Sequence, residues 1–81
     1  MRATVVIPPD VQAVIEDLPP KEQDALVAKL VLLEHFPRMF QVRERGRFRR
    51  HRRFLIGDWL VYYRVVENTV HIRGLWPARI P

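Results

Sequence analysis

The chain of 81 residues has a formal net charge of +5 and a pI near 10.7, and its length fits a single domain. Hydrophobic residues make up 48% of it, which is enough for a packed core. There is no cysteine and no serine, so disulfides, thiolate metal sites and thiol or serine nucleophiles are excluded. The apolar stretch at residues 25–33 contains Lys29 and is too short to span a bilayer, and residues 1–9 lack the apolar region of a signal peptide. We therefore expect a soluble cytoplasmic protein with no membrane partner.

Charge is distributed unevenly along the chain. Residues 1–36 carry a net charge of −3, whereas residues 37–81 carry +8, with eleven arginines and no lysine. Arginine can hold a phosphate through two parallel hydrogen bonds and can stack on a base, whereas lysine offers only a point charge. The second half of the chain therefore predicts contact with a polyanion or with an acidic protein.

The first half predicts a short strand followed by two helices. Residues 4–7 are rich in β-branched side chains and are closed by Pro8-Pro9. Apolar residues at helical spacing follow Asp10, and a second helix is expected from about Pro20 to about His35. The apolar surface of this second helix is broad, which indicates burial against a sheet and contact with something else.

The second half predicts three strands joined by tight turns. An arginine-rich strand is expected at residues 47–56, an aromatic and β-branched strand at 59–66, and a last strand at 69–76. Gly57-Asp58 is a two-residue hairpin signal, and Glu67-Asn68 makes the next turn because asparagine tolerates the left-handed region. The order of elements predicts an α+β fold, β-α-α-β-β-β, with two helices packed on one side of a mainly antiparallel four-stranded sheet.

The strongest functional signal is the segment 38–53, which holds eight arginines and one acidic residue, Glu44. Charges this close repel one another unless a polyanion or an acidic partner neutralises them. On a continuous strand, alternate side chains from Arg47 to Arg53 would point to one face and those between them to the other. The alternative is a solvated strand whose charges prevent edge pairing. The predicted nucleic-acid-binding residues are Arg43, Arg45, Arg47, Arg49, Arg50 and Arg52.

His51 lies within this basic segment, where neighbouring positive charge favours the neutral imidazole that can act as a general base. The alternative is that His51 has no catalytic role and only separates the arginines on either side of it. Trp59, Tyr62, Tyr63 and Trp76 could stack on bases, although aromatic residues on the strands of a small domain more often belong to the core. Three scattered histidines do not make a metal site, and there is no glycine-rich phosphate loop, so no metal or cofactor is predicted.

The hairpin at residues 53–65, with the sequence RFLIGDWLVYYRV, resembles the RelE/ParE toxin superfamily. The likeness lies in a basic and apolar strand, a Gly-Asp turn, an aromatic residue and an apolar run that ends in Tyr-Arg-Val. The segment LWPAR at residues 75–79 is similar to the one where many members carry His-Gly-Ala-Arg. The two helices also match in order and length, so the resemblance covers nearly all of residues 1–81. It implies one toxin domain of a type II toxin–antitoxin system, neutralised by a cognate antitoxin.

In the RNA-cleaving branch of this superfamily, basic residues and a tyrosine or histidine line the concave face of the sheet. The matching positions here are Arg53 and Arg79, and His51 is added as a third candidate catalytic residue. Three features depart from the pattern. Leu60 stands where the superfamily usually has an arginine, Trp76-Pro77 stands where a histidine often occurs, and no tyrosine follows in the tail. Catalysis would then depend on His51 and on charge stabilisation by the arginines.

Three functions therefore remain open from the sequence. The first is a toxin that acts on translation by binding the ribosome and messenger RNA, with or without cleavage of the RNA. The second is a non-enzymatic inhibitor of DNA gyrase, which the missing nuclease groups favour. The third is a degenerate toxin that only binds its antitoxin. In the first two, an amphipathic and acidic antitoxin segment could dock on the apolar helix surface or on the arginines.

Overall fold

The computed structural model of the protein describes residues 2–78. In chain order it contains β1 (Thr4–Val6), α1 (Pro9–Glu16), α2 (Pro20–His35), β2 (Arg52–Ile56), β3 (Trp59–Val66) and β4 (Thr69–Pro77). This order confirms the α+β fold predicted from the sequence. The bounds of α2 and β3 agree with the predicted ones, whereas β2 begins five residues later than the strand expected at 47–56.

The four strands form one sheet in the order β1-β4-β3-β2. The pairs β2–β3 and β3–β4 are antiparallel hairpins, and β1 lies parallel to β4. Asn68, in the turn between β3 and β4, holds β1 in place: its Nδ2 donates to the Arg2 carbonyl at 2.9 Å, and its own carbonyl accepts from the Thr4 N–H at 3.0 Å. The left-handed residue of this turn is Glu67 (φ 54°), not the asparagine that the sequence suggested.

Two proline pairs divide the helical region. Pro9 and Pro20 each occupy the first helical position, where the missing N–H has no partner to lose. The last carbonyls of α1 are satisfied from α2, because Nε2 of Gln23 donates to the Ile15 and Glu16 carbonyls at 3.0 and 3.2 Å. This side chain fixes α1 relative to α2.

One face of the sheet, called here the inner face, packs against both helices. The residues of the core are buried apolar side chains: Ala3, Val11, Leu18, Leu26, Leu33, Phe54, Ile56, Val61, Tyr63, Val70, Ile72 and Leu75. Tyr63 is fully buried, and its hydroxyl donates to the Pro37 carbonyl at 3.0 Å. Burial raises the pKa of Tyr63 to about 12, although the positive charge of Arg52 works in the opposite direction.

The apolar surface of α2 is only partly covered by the rest of the protein. Leu26 and Leu33 are buried in the core, whereas Val27 is 59% exposed and Val31 is 49% exposed. The side of α2 away from the sheet therefore remains apolar and open within the described residues, as the breadth of its apolar pattern predicted.

Candidate nucleic acid interface

The other face of the sheet, called here the outer face, carries no helix among residues 2–78. Its side chains follow from strand alternation and fall into two adjacent rows across three strands. One row is Arg53, Tyr62 and Gly74, and the next is Leu55, Leu60 and Trp76. Arg64 and His71 pair beyond the first row. The outer face is therefore where basic, aromatic and apolar side chains meet.

A β-bulge in β4 determines which side chains reach the outer face. Tyr62 pairs with Gly74 but Tyr63 pairs with Ile72, so Arg73 is an extra residue on β4. One extra residue reverses the alternation that follows it. As a result Leu75 is buried in the core and Trp76 lies on the outer face.

Residues 43–50, called here the arginine loop, fold back before β2 begins. The loop is closed by backbone hydrogen bonds, from the Arg50 N–H to the Arg43 carbonyl at 2.7 Å and from the Arg43 N–H to the His51 carbonyl at 2.8 Å. Gly46 (φ 87°) and Arg50 (φ 71°) adopt the left-handed conformation that reverses the chain. The prediction that 47–51 is strand, with alternating arginine faces, is therefore wrong.

The arginine loop is attached to the outer face by an aromatic cluster of Phe48, Tyr62 and Trp76. Phe48 stacks on Tyr62 with ring centroids 4.2 Å apart and an interplanar angle of 24°. Trp76 lies 4.7 Å from Phe48 and 5.6 Å from Tyr62, again between ring centroids. The cluster buries Tyr62, although that side chain points away from the helices.

Gly74 leaves the space that the indole of Trp76 occupies. A Cβ atom at this position would lie 2.3 Å from Cη2 of Trp76, which is closer than van der Waals contact permits. The indole therefore rests against the backbone of Gly74, two residues earlier on the same face. A glycine two positions before an aromatic residue on a strand was the sequence signal for this contact, and it was missed.

Three of the eight arginines in segment 38–53 hold the protein's own backbone or side chains. Arg43 donates from Nη1 to the Tyr62 hydroxyl at 3.0 Å and from Nε to the Arg45 carbonyl at 2.8 Å. Arg52 donates from Nη1 to the Phe40 carbonyl at 2.6 Å and the Arg38 carbonyl at 3.1 Å. Arg38 donates from Nη2 to the Glu67 carbonyl at 2.8 Å. These contacts give Arg43 and Arg52 a structural role that the sequence did not indicate.

The other five arginines of the segment, Arg45, Arg47, Arg49, Arg50 and Arg53, are exposed. Glu44 is exposed too and forms no ion pair with any residue from 2 to 78, so it does not neutralise them within the protein. A groove of about 380 Å³ lies between residues 41–45 and Arg53. Three arginines and Glu44 line it, so its net charge is positive, which suits a phosphate or carboxylate ligand.

Two of the three candidate catalytic residues lie within the described part of the chain. Arg53 is exposed on β2 and is paired with Tyr62. His51 is half-buried beside Phe48, and its Nδ1 lies 3.2 Å from the Arg49 carbonyl. Since a carbonyl can only accept, Nδ1 is the donor in this contact, and Nε2 is an acceptor in the neutral form of the ring. Arg79 lies outside the described residues, so its place relative to the other two is a prediction only.

The remaining aromatic candidates separate by face. Tyr63 belongs to the core and Trp59 is half-buried against it, whereas Tyr62 is covered by Phe48. Of the four aromatic residues named from the sequence, Trp76 keeps a large exposed surface on the outer face, 41% of the residue. Within residues 2–78 there is no group of three histidine or acidic side chains that could hold a metal ion.

Comparison with a solved structure identifies the fold. The toxin–antitoxin complex RelBE2 from Mycobacterium tuberculosis contains a chain that superposes with a TM-score of 0.79 at 21% sequence identity, covering 95% of this chain and 99% of that one. At this identity the likeness shows a shared fold. Neither helix in the described part of the chain has the length and apolarity needed to cross a membrane.

The sequence itself identifies the family. Residues 10–80 match the family model for the ParE toxin of type II toxin–antitoxin systems, parDE, whereas no curated protein matches the chain. The protein therefore belongs to the ParE toxin family of type II toxin–antitoxin systems, which confirms the resemblance drawn from the β2–β3 hairpin and the two helices.

Proposed function

We propose that this toxin stops translation by binding the ribosome and its messenger RNA through the arginine loop and Arg53. The observation that carries the proposal is the set of five exposed arginines that have no acidic partner within the described chain. All five lie within nine residues: four belong to the arginine loop, which the aromatic cluster attaches to the outer face, and Arg53 lies on that face in β2. RNA phosphates would neutralise the charge that the protein leaves uncompensated.

The first experiment induces the toxin in a bacterial host and follows protein synthesis and DNA replication in parallel by pulse labelling. We expect protein synthesis to fall first. The double variant Arg45→Ala/Arg49→Ala should lose most of the effect, because both side chains are exposed and hold nothing inside the protein. The matched control is Lys21→Ala/Arg73→Ala, which removes the same charge from exposed positions outside the loop and should stay toxic.

Binding to RNA in vitro should depend steeply on salt. If all five exposed arginines contact phosphates, the logarithm of the affinity should fall with the logarithm of salt concentration with a slope of about −3.5. The Arg45→Ala/Arg49→Ala variant should show a shallower slope than the control variant. A slope near zero for the unmodified toxin would rule out the arginine loop as an RNA-binding surface.

Cleavage of the RNA would fall to His51, Arg53 and Arg79. In this proposal Nε2 of His51 takes the proton of the 2′-hydroxyl, whose oxygen attacks the adjacent phosphorus. The bond from phosphorus to the 5′-oxygen breaks, which leaves a 2′,3′-cyclic phosphate and a 5′-hydroxyl that receives its proton from water or from the protonated His51. The arginines stabilise the charge that develops on the phosphate. His51→Ala distinguishes cleavage from simple occlusion. Loss of messenger-RNA cutting with RNA binding retained would make His51 a catalytic residue, whereas unchanged inhibition would show that the toxin acts by occupying its site.

The proposed partner in the resting cell is an antitoxin with an acidic, amphipathic segment. The structural neighbour is itself a toxin–antitoxin complex, which supports an antitoxin as the partner. The exposed arginines offer the complementary charge, and the apolar outer side of α2 around Val27 and Val31 offers area for an apolar face. Co-expression of an acidic antitoxin should abolish toxicity of the unmodified protein.

A second candidate function is inhibition of DNA gyrase. It is favoured by the family model, which describes the ParE toxin of parDE, and by Leu60, an apolar side chain in the middle of the outer face. Under this alternative, replication falls before protein synthesis, and purified toxin blocks supercoiling by gyrase. Normal supercoiling at saturating toxin would reject it.

A further inference from the structure

Trp76 lies on the outer face and is not part of the hydrophobic core, and much of the residue is exposed. The residue is 41% exposed, and it shares a row of the outer face with Leu60 and with Leu55, which is 55% exposed. The adjacent row contains Arg53. The outer face thus presents an apolar ledge, defined here as Leu55, Leu60 and Trp76, directly beside a positively charged side chain.

The indole of Trp76 is held in one position before any ligand arrives. It rests against the backbone of Gly74, and its neighbours Phe48 and Tyr62 contact it from the arginine loop and from β3. A side chain that is already ordered loses little conformational entropy when a ligand packs on it. The ring is therefore suited to stacking against a flat ligand.

The spacing of the strands places this ring within reach of the arginines. Arg53 on β2 and Gly74 on β4 are both paired with Tyr62 on β3, so their backbones lie two strand spacings apart, about 10 Å. Arg53 also lines a groove together with Arg43, Glu44 and Arg45 of the arginine loop. A ligand with a planar group and an attached phosphate can engage the ledge and the arginines at once.

We propose that Trp76 stacks on an unpaired base of single-stranded RNA, with the attached sugar against Leu60 and the flanking phosphates at Arg53 and the arginine loop. The inference rests on the proposed RNA-binding function and adds its substrate class, because it requires a strand with accessible bases and not merely a polyanion. A base in a duplex has both faces covered by its neighbours, whereas an unpaired base can leave the stack and pack on an aromatic ring.

The test uses the 81-residue toxin with Trp59→Phe, which leaves Trp76 as the single tryptophan. Trp59 is half-buried against the core, and phenylalanine keeps an aromatic ring there. One probe is an oligouridylate of about ten nucleotides, and the other is an abasic ribose-phosphate oligomer of equal length. Calorimetry measures binding of each oligomer, and tryptophan fluorescence reports contact with Trp76.

We expect both oligomers to bind through the arginines, the oligouridylate more tightly, with strong quenching of Trp76 by the oligouridylate alone. Equal affinities with an unchanged Trp76 signal would overturn the stacking proposal and leave the arginine-mediated function standing. If neither oligomer binds, both proposals fail. Quenching that persists with the abasic oligomer would also overturn stacking, because that oligomer has no base.

Substitution of Trp76 gives a second and independent measurement. Trp76→Ala should weaken oligouridylate binding about tenfold and leave abasic binding unchanged, whereas Trp76→Phe should keep most of the affinity. Circular dichroism and thermal unfolding of both variants check that the arginine loop and sheet persist. Equal loss of affinity for the two oligomers would mean that Trp76 only supports the loop, and it would overturn the proposal.

Discussion

The two faces of the same sheet are covered in different ways. The inner face is covered by two helices, and the apolar side chains that it contributes between Phe54 and Leu75 pack in or against the hydrophobic core. Among residues 2–78, the outer face is covered by an eight-residue loop that is attached through the stack of Phe48 on Tyr62 and the hydrogen bond from Arg43. Alternate residues of the same strands therefore point to opposite faces. Those on the inner face stabilise the fold, whereas those on the outer face include exposed charged side chains.

This difference separates two kinds of substitution. Changes on the inner face should lower the free energy of unfolding, because buried volume is lost there. Changes to exposed side chains of the outer face should alter binding while stability stays nearly constant. Four pairs of variants test whether effects on stability and effects on binding divide between the two faces in this way.

The largest effect is expected for Leu33→Ala, which removes a side chain that is fully buried between α2 and the sheet. The free energy of unfolding should fall by about 3 kcal/mol, as for other buried leucines. The matched control is Leu32→Ala on the same helix, because Leu32 is 39% exposed and should cost less than about 1 kcal/mol. Urea denaturation measures both, and equal losses would show that α2 packs by a different face.

Gly74→Ala should give the next largest loss of stability. It tests whether a substitution on the outer face can also lower the free energy of unfolding. The added Cβ would meet the indole of Trp76, so the aromatic cluster must shift, at a cost of about 2 kcal/mol. In a Trp76→Ala background the same substitution should cost much less, because the obstructing ring is gone. Denaturation of the four proteins in this cycle gives the coupling, and strict additivity would contradict the contact.

Arg52→Ala and Arg53→Ala compare neighbouring residues on opposite faces. Arg52 donates to two carbonyls, so its loss should lower the free energy of unfolding by about 1 kcal/mol. Arg53 is exposed, and its loss should change stability by less than about 0.5 kcal/mol while weakening RNA binding. Thermal unfolding and RNA titration of both variants provide the measurements. The reverse pattern would mean that the two arginines exchange roles.

Tyr63 gives the smallest effect near neutral pH and a clear one in alkali. Because burial raises the pKa of its hydroxyl to about 12 from the ordinary 10.0, the folded state disfavours the tyrosinate. The associated stability is complete below pH 10 and is lost as the pH rises toward 12. Tyrosinate absorbance should show a late step that Tyr63→Phe removes and Tyr62→Phe retains. Persistence of that step in Tyr63→Phe would contradict the burial argument.

Most of the fold could be predicted from local patterns. Pro19-Pro20 and Pro37 enclose α2, and Gly57-Asp58 lies between two apolar strands, so neighbouring residues determine these bounds. The arginine segment could not be predicted in the same way. Residues 47–51 directly precede the apolar part of β2 and would be expected to extend that strand, whereas their folded path depends on Phe48 meeting Tyr62, a contact between residues far apart in the chain.

The candidate site was predicted less completely than the fold. The concentration of arginines was visible in the sequence, but the division between those that hold the backbone and those that remain exposed depends on distant carbonyls. Trp76 lies on the outer face because of the bulge at Arg73, which no local sequence pattern predicted. The catalytic roles of His51, Arg53 and Arg79 remain predictions.

The construction of the arginine loop has a consequence for how such a toxin can evolve. The side chains that maintain its shape are Arg43 and Phe48, with Gly46 at the reversal, whereas Arg45, Arg47 and Arg49 project from it. Mutation at the projecting positions changes the surface shown to a target without rebuilding the loop. Single substitutions at these positions can therefore change what the toxin binds while the loop keeps its shape. An antitoxin that binds the same side chains must then acquire matching substitutions.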